Sequence, residues 1–475
     1  MQLAHIKIAL FALFLAVPVA VLLLLGSVGD YGGPTPGFPS LGDTLRGKKQ
    51  RMDRFGEAVL HRSAVTKLAI ELRNWVGYRV VGFADTALVV SGEGDWLFYR
   101  PEFRDGRCLE REQMAASFRQ LSVLVDIGRA SGIDLFVSIS PDKSTIYPEM
   151  LRASARGYWK CRIESAAAQR RLIQEEAPAL IDHAEALLAE KGAHPDRQLY
   201  FVTDTHWTPY GGAIALRQLL AAIHPGAQIP APHRSGTMTV DPTNLSRMLL
   251  VPVREQADDI APPTAQDLQA LGDPDDLSTV IVHDSFYGSI ASQITAALPN
   301  AVDVGWGDAA SASADRIIIN TLASALPRRT LGGWLSWKAR LPAAIVRRNI
   351  KRSQECAGFE ATSQAGVAKL AHRSSGIVVP IPAVEGGHLP CLRLSLAAKH
   401  AAILEVALPD SATGAFEPGR SFKYEVAPGD KTIAFVLPAY AAGSGVRLQA
   451  SAGEIGLSLI ETGNIAAPRL ASAGP

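Results

Sequence analysis

TVIVHDSFYG, residues 279–288, joins a short apolar run to a turn carrying three reactive side chains, His283, Asp284 and Ser285. Four β-favouring residues bounded by polar ones read as a strand buried on both faces. A helical pattern follows over 288–298, so Ser285 falls between a strand and a helix. In a parallel sheet that junction lies at the carboxyl edge, where α/β proteins gather their sites.

Working outward, the same alternation recurs. Residues 87–90 and 96–99 flank the turn Ser91-Gly92-Glu93-Gly94-Asp95 and read as two strands. Helical spacing at 112–129 precedes an apolar run at 133–139, and a helical stretch at 163–191 is broken at Pro178. A second buried strand is expected at 199–202, a helix at 209–223, and further strands at 279–282 and 316–319. Upstream, Phe55, Val59, Leu68, Leu72 and Val76 recur at near-helical spacing. The sum is an α/β domain with a mainly parallel sheet, assigned to residues 54–327. Residues 225–274, rich in proline and polar side chains, read as an insertion or long loop. Over 356–465 the pattern changes to short alternating runs split by Gly, Pro and Asp, the signature of an antiparallel β-sandwich.

The chain has 475 residues, enough for two or three compact units. Hydrophobic residues make up 47%, charged residues 20%, and 47 Lys+Arg against 46 Asp+Glu leave a formal charge of +1. That excludes a disordered polyampholyte and a nucleic-acid partner recruited by a whole-chain basic field. The charge is unevenly spread. Residues 8–28 carry none, long enough to cross a hydrocarbon layer, so residues 1–29 read as a signal anchor. A signal peptide cleaved near Ser27-Val28-Gly29 is the alternative, and both place the rest outside the cytoplasm. Residues 30–53 read as a tether. At 328–355 lies a basic connector in which Trp334, Trp337, Leu341 and Ile345 share a helical face. It reads either as packed against a domain or as resting on an anionic leaflet or polymer. Export also favours disulfides, and the four cysteines fall as one pair in each half, so Cys108 with Cys161 and Cys356 with Cys391 are the expected bridges among the three pairings four cysteines allow, with four buried thiols as the alternative.

The chemistry concentrates in a second strand-to-helix junction, Thr203-Asp204-Thr205-His206-Trp207-Thr208-Pro209. Thr208 suits an N-cap and Pro209 the first helical position. Residues two apart in an extended stretch point the same way, so Asp204 can orient His206 and support its imidazolium. Such triplets arise roughly once by chance in this composition, so the structural context carries the inference. With Ser285 they compose a nucleophile, a base and an orienting carboxylate, and backbone N–H groups at the following helix could hold an oxyanion. Two other readings stand beside this one: Ser285 as an ordinary N-cap, and a metal site made of Asp204, His206 and either His283 or Asp284. Walker, dinucleotide-turn and G-x-S-x-G patterns are absent.

Four motifs in this order, GDWLFYRPEF at 94–103, PDKSTIYPEM at 141–150, TDTHWTPYGG at 203–212 and HDSFYG at 283–288, resemble the SGNH-like alginate O-acetyltransferases of the AlgX/AlgJ type. The resemblance implies an SGNH-hydrolase-like fold and a periplasmic serine-dependent O-acetyltransferase of an exported polysaccharide, anchored to the inner membrane by residues 8–28. Catalytic roles then fall on Ser285, His206 and Asp204. No cofactor is tightly bound; the acetyl donor comes from outside, from a membrane-bound O-acyltransferase partner. Trp207, Tyr210 and Tyr287 are candidate pocket walls, and Lys143 with Tyr147 a candidate positioning loop. The β-rich tail resembles a carbohydrate-binding module, although it offers no tryptophan for sugar stacking. Where the family's strand after the serine often ends in acids, this chain has Asn320-Thr321, which leaves the supporting role of that strand open. An acetylesterase with the same triad and a non-catalytic glycan-binding scaffold are the alternatives.

Overall fold

The structure, a computed structural model, describes residues 64–104, 111–153, 160–241, 243–261, 277–298, 300–304, 313–362, 368–372, 375–468 and 470. Helix α1 (Ala64–Trp75) leads to a hairpin of β1 (Val89–Ser91) and β2 (Leu97–Tyr99). Then come α2 (Arg111–Ala130), β3 (Asp134–Ser140), α3 (Lys160–Glu176), β4 (Ile181–Asp182), α4 (His183–Ala193) and α5 (Pro209–Ile223). A second hairpin, β5 (Arg234–Val240) with β6 (Glu255–Ile260), encloses α6 (Asn244–Met248). The remaining elements of this part are β7 (Thr279–Val282), α7 (Ser285–Gly288), α8 (Ala291–Ala297), β8 (Ala301–Val304) and β9 (Arg316–Leu322).

Five strands form the central sheet in the order β4-β3-β9-β7-β8, and every pairing is parallel. The period-2 alternation of β3 explains how both faces are covered. Leu135, Val137 and Ile139 pack with α2 and α3, while Phe136 joins a second core with Leu187 of α4 and Leu216 of α5. On β9, Ile317 and Ile319 face the first core and Ile318 the second. At the amino end of the sheet, Arg316 donates to the Asp134 carboxylate at 3.1 Å and 3.2 Å, both side chains buried. All the strands therefore deliver their carboxyl ends to the opposite edge.

Several expectations need correction. Residues 199–202 are not a strand of the sheet. Leu199 and Tyr200 are apolar because they are fully buried, but their neighbourhood pairs with the loop that follows, Thr208 N donating to Leu199 O at 2.9 Å. The sheet position goes to β4, whose two residues are too few to show a pattern. The helical stretch at 163–191 is accordingly two helices with β4 between them. The helix expected at 288–298 is α8, shorter at both ends, and the single turn α7 stands ahead of it. Part of 225–274 is built rather than loose: Leu245, Leu249 and Val251 share a small core with Tyr78, Val89 and Leu97.

Beyond the sheet, α9 (Arg340–Arg352) buries Leu341, Ala344, Ile345 and Val346, so this part of the basic connector is packed; Trp334 and Trp337, expected on the same helical face, precede the helix in turns, Trp337 buried and Trp334 exposed. The Asn349 side chain of α9 bonds both polar groups of the Val436 backbone, at 2.9 Å and 3.0 Å. The tail is the expected sandwich. One sheet runs β10 (Ala357–Ala361), β18 (Glu454–Ala466), β13 (His388–Ala398), β16 (Gly429–Val436), with β11 (Ala368–Ala371) also on β18. The other runs β12 (Ile377–Pro380), β17 (Gly445–Ala452), β14 (Ala402–Ala407), β15 (Ser421–Val426). All these pairings are antiparallel. One apolar core runs from Leu121 and Leu124 of α2 through Ile345 of α9 into Leu394 and Phe435 of the sandwich. Cys356 and Cys391 form a disulfide. Cys108, and with it the first expected bridge, lies outside the described residues, as do the anchor at 8–28 and the tether. Among the described residues no helix is long and apolar enough to cross a membrane.

Candidate active site

Asp204 and His206 meet as their spacing suggests. The His206 Nδ1 lies 2.6 Å from Asp204 Oδ1, which also accepts from the His206 backbone N–H at 2.9 Å. The other carboxylate oxygen accepts from the Asn244 N–H at 2.7 Å. Burial alone would raise the Asp204 carboxyl. The His206 imidazole and the N–H groups of Asn244 and His206 outweigh it and hold the carboxyl below its ordinary range. The buried His206 Nε2 has no hydrogen-bond partner among the described residues. A carboxylate on Nδ1 and an Nε2 without a partner leave the second ring nitrogen as the one available for proton exchange.

Two charged side chains grip the peptide groups that lead into this pair. Lys143, fully buried, donates from Nζ to the carbonyls of Leu97 and Val202, each at 2.6 Å, and of Asp204 at 3.0 Å. Glu255 of β6 accepts from the N–H groups of Val202 at 2.7 Å and Thr203 at 2.6 Å and from the Thr203 hydroxyl. Desolvation drives the Lys143 ammonium down to about 7, against the upward pull of Glu255, Glu102 and Asp204. Asn244 adds its side chain, donating to Thr205 Oγ1 at 2.7 Å and accepting from Thr205 N at 3.1 Å. The hairpin and α6, in the segment whose composition suggested a loop, thus hold the dyad. Asn244 and Glu255 carry no sequence signal, because their work is tertiary. Their one legible trace is that they flank apolar residues inside a proline-rich segment.

At the end of β7 the helix cap is Asp284, not Ser285: Asp284 Oδ1 accepts from Phe286 N at 3.2 Å. Ser285 is exposed at the first helical position, and among the described residues no hydrogen bond engages its hydroxyl. The second Asp284 oxygen accepts from Leu322 N at 2.6 Å and from Arg329 Nη1 at 3.0 Å, and Arg329 also donates to Thr321 Oγ1 at 2.6 Å. The end of β9 therefore supports the serine turn through Thr321 and Leu322 without an acid, while Asn320 bonds inside the sheet to Ser138 and Ser140. Phe286, next to Ser285, has its ring centroid 5.0 Å from that of His206, tilted to it, and 5.0 Å from that of Trp207, edge to face. Ser285 and the dyad thus adjoin across Phe286, with no hydrogen bond between serine and imidazole. The turn α7 is four residues long, so its dipole can add little to an oxyanion site.

The other candidates are placed differently from the sequence expectation. Trp207, Tyr210, Tyr287, Lys143 and Tyr147 are all buried, with their polar ends turned inward. Trp207 donates to Ser289 at 3.0 Å, Tyr287 pairs with His183 at 2.8 Å, Tyr210 donates to Glu190, and Tyr147 accepts from Leu199 N at 3.0 Å. They back the site rather than line an open pocket. A metal set of Asp204, His206 and His283 or Asp284 does not assemble: His283 Nε2 lies 2.9 Å from Asp303, and Asp284 is taken by Arg329. An open depression of about 540 Å³ reaches Asp204 from the side of Thr243, Asn244 and Arg247.

Residues 89–260 match the family model described as SGNH hydrolase-like domain, acetyltransferase AlgX. Among curated proteins the chain is similar to the probable alginate O-acetylase AlgJ of Pseudomonas syringae pv. tomato, 30% identical over 135 residues, or 28% of this chain and 33% of that one. It is also similar to its counterpart in Azotobacter vinelandii, 26% identical over 183 residues, or 38% of this chain and 44% of that one. The chain thus spans less than half the length of these relatives. Among solved structures, the O-acetyltransferase domain of Pseudomonas putida AlgJ aligns with 52% of this chain and 96% of its own, at 17% identity and a TM-score of 0.34.

Proposed function

We propose that this protein is a serine-dependent O-acetyltransferase acting on the hydroxyls of an exported polysaccharide in the periplasm. The observation that carries the reading is the arrangement of His206. Its Nδ1 is engaged by an ionised carboxylate, its Nε2 makes no hydrogen bond among the described residues, and its ring packs on the residue after an exposed serine that is not the helix cap. In the first half-reaction Ser285 Oγ attacks the acetyl carbonyl of the donor while His206 Nε2 takes the hydroxyl proton. The leaving oxygen of the donor departs with that proton. In the second, the sugar hydroxyl gives its proton to Nε2 as its oxygen attacks the acetyl-serine, and Ser285 leaves and recovers the proton. Asp204 supports the imidazolium in both. Lys143, Glu255 and Asn244 act as positioning residues, and Phe286, packed on the imidazole and backed by Trp207, keeps it from swinging. The names of the similar alginate O-acetylases support the acetyl group and the polysaccharide acceptor. A membrane-bound acyltransferase as the acetyl source, and anchoring through residues 8–28, complete the proposal.

An esterase with the same residues would differ only in its acceptor, water. Purified protein given an activated acetyl ester with and without an oligouronate separates the two. The transferase reading expects acetylated oligosaccharide; acetate release at the same rate with and without sugar, and no acetylated product, contradicts it.

A further inference from the structure

A globular helix ordinarily turns its apolar stripe inward, because burial of that stripe is what stabilises it against the body. Helix α1 does the reverse. Its inward side is held by polar anchors: Asn74 Nδ2 donates to Leu249 O at 2.6 Å, and the buried Tyr78 that follows donates to Asp95 O at 2.8 Å. Outward face Leu68, Leu72, Val76 and Val80, spaced by four along the helix and the wider helical turn Val76–Val81, with Trp75 and Phe83 beside them. Leu68 is 65% and Val80 68% exposed. Seven of the eleven exposed large apolar side chains among the described residues fall between 68 and 83, so this is one patch and not the ordinary scatter.

We propose that this face is a docking surface for an anionic phospholipid bilayer. The charge pattern selects that occupant. Lys67, Arg73 and Arg79 border the stripe, and the Arg152 guanidinium sits 5.4 Å from the Phe83 ring. The acids at hand, Glu71 and Asp95, already face Lys67 at 3.7 Å and Arg79 at 3.9 Å. An apolar strip rimmed by cations and a tryptophan matches a headgroup boundary, where the stripe enters the acyl region and the cations meet phosphates. The same chain carries the uncharged run at 8–28. Residues 29–63 could span up to roughly 120 Å if extended, so an anchor at 8–28 leaves the orientation of the body open. The α1 face fixes which side of the molecule lies on the membrane.

The test uses the full chain in vesicles of phosphatidylethanolamine and phosphatidylglycerol, with a photoreactive benzoylphenylalanine replacing Leu72 or Val80. Val302 and Val378, exposed apolar positions elsewhere on the molecule, serve as controls carried by the same chain. After irradiation, mass spectrometry should find lipid adducts at 72 and 80 about tenfold above the controls, with a severalfold lower yield in vesicles of phosphatidylcholine alone. Adducts to residues 1–63, adducts to a second copy, or lipid labelling no higher than at the controls would overturn the proposal. Equal labelling in neutral vesicles would overturn its anionic part.

Discussion

His206 has its two ring nitrogens in different surroundings, and this asymmetry makes the residue usable as a base. Replacing Asp204 by Asn should keep the fold but let the ring adopt the wrong tautomer, lowering kcat by about 10³- to 10⁴-fold with KM little changed; steady-state kinetics of the purified variant check this. Lys143 offers a second test. Its folded value of about 7 lies below that of an unfolded lysine, so the folded state sheds a proton that the unfolded state keeps. Its contribution to stability is therefore lost as the pH falls through about 7 and grows as the pH rises above it. Urea unfolding should show the advantage of the wild type over Lys143→Met widening from pH 7 to 9; a constant or shrinking gap contradicts that assignment. At this scale Ser285 was legible because it stands at a strand-to-helix junction, and Asp204 with His206 because of their spacing of two ahead of the Thr208-Pro209 helix start, although no strand of the sheet leads directly into them. The roles of Lys143 and Tyr147 were not, since burial and the direction of a polar end depend on neighbours distant in sequence.

Elements explain why the dyad stays in place. The β5–β6 hairpin sends Glu255 across to two backbone N–H groups and one hydroxyl, all at the entrance to Asp204. Glu255→Ala should leave those buried donors without a partner, at a cost of about 2–3 kcal/mol in stability. It should also reduce kcat, because Asp204 follows directly on the released peptide. Thermal unfolding and kinetics on one preparation test both halves, and unchanged stability would remove Glu255 from its assigned role. The helices at 111–130 and 209–223 and the strands β3, β7 and β9 could be read from periodicity, being long or apolar on both faces. Two-residue β4 and the hairpin could not. The first is shorter than one period of any pattern, and the polar exposed side chains of β5 disguise a strand as a loop.

At the scale of the molecule, the sandwich and the α/β part share a core and a buried charge cluster. Arg119 of α2, 4% exposed, reaches Glu112 at 3.0 Å and Glu176 at 2.9 Å, and donates to Pro418 O at 2.7 Å beside Glu417 at 3.4 Å. Gly419 lies against α2 with φ of +85°, where a Cβ would meet Ala116 O at 2.1 Å, so no larger residue fits. Unfolding should consequently be one cooperative calorimetric transition, and Arg119→Met should lower its midpoint through a loss of about 3–5 kcal/mol. Two well-separated transitions in the wild type would show that the parts are independent. The sequence pattern divides the chain by its alternation but could not show that α9 packs between the two parts, because an amphipathic basic helix reads equally well as a membrane or packed element.

The central claim is that Ser285 carries the acetyl group. It is tested most directly by exposing purified protein to an activated acetyl ester, quenching in acid and mapping the modified peptide by mass spectrometry. The account predicts acetyl on Ser285, discharged when an oligouronate is added before the quench, and no acetylated oligosaccharide from Ser285→Ala of unchanged thermal stability. Undiminished acetylated product from Ser285→Ala would contradict it.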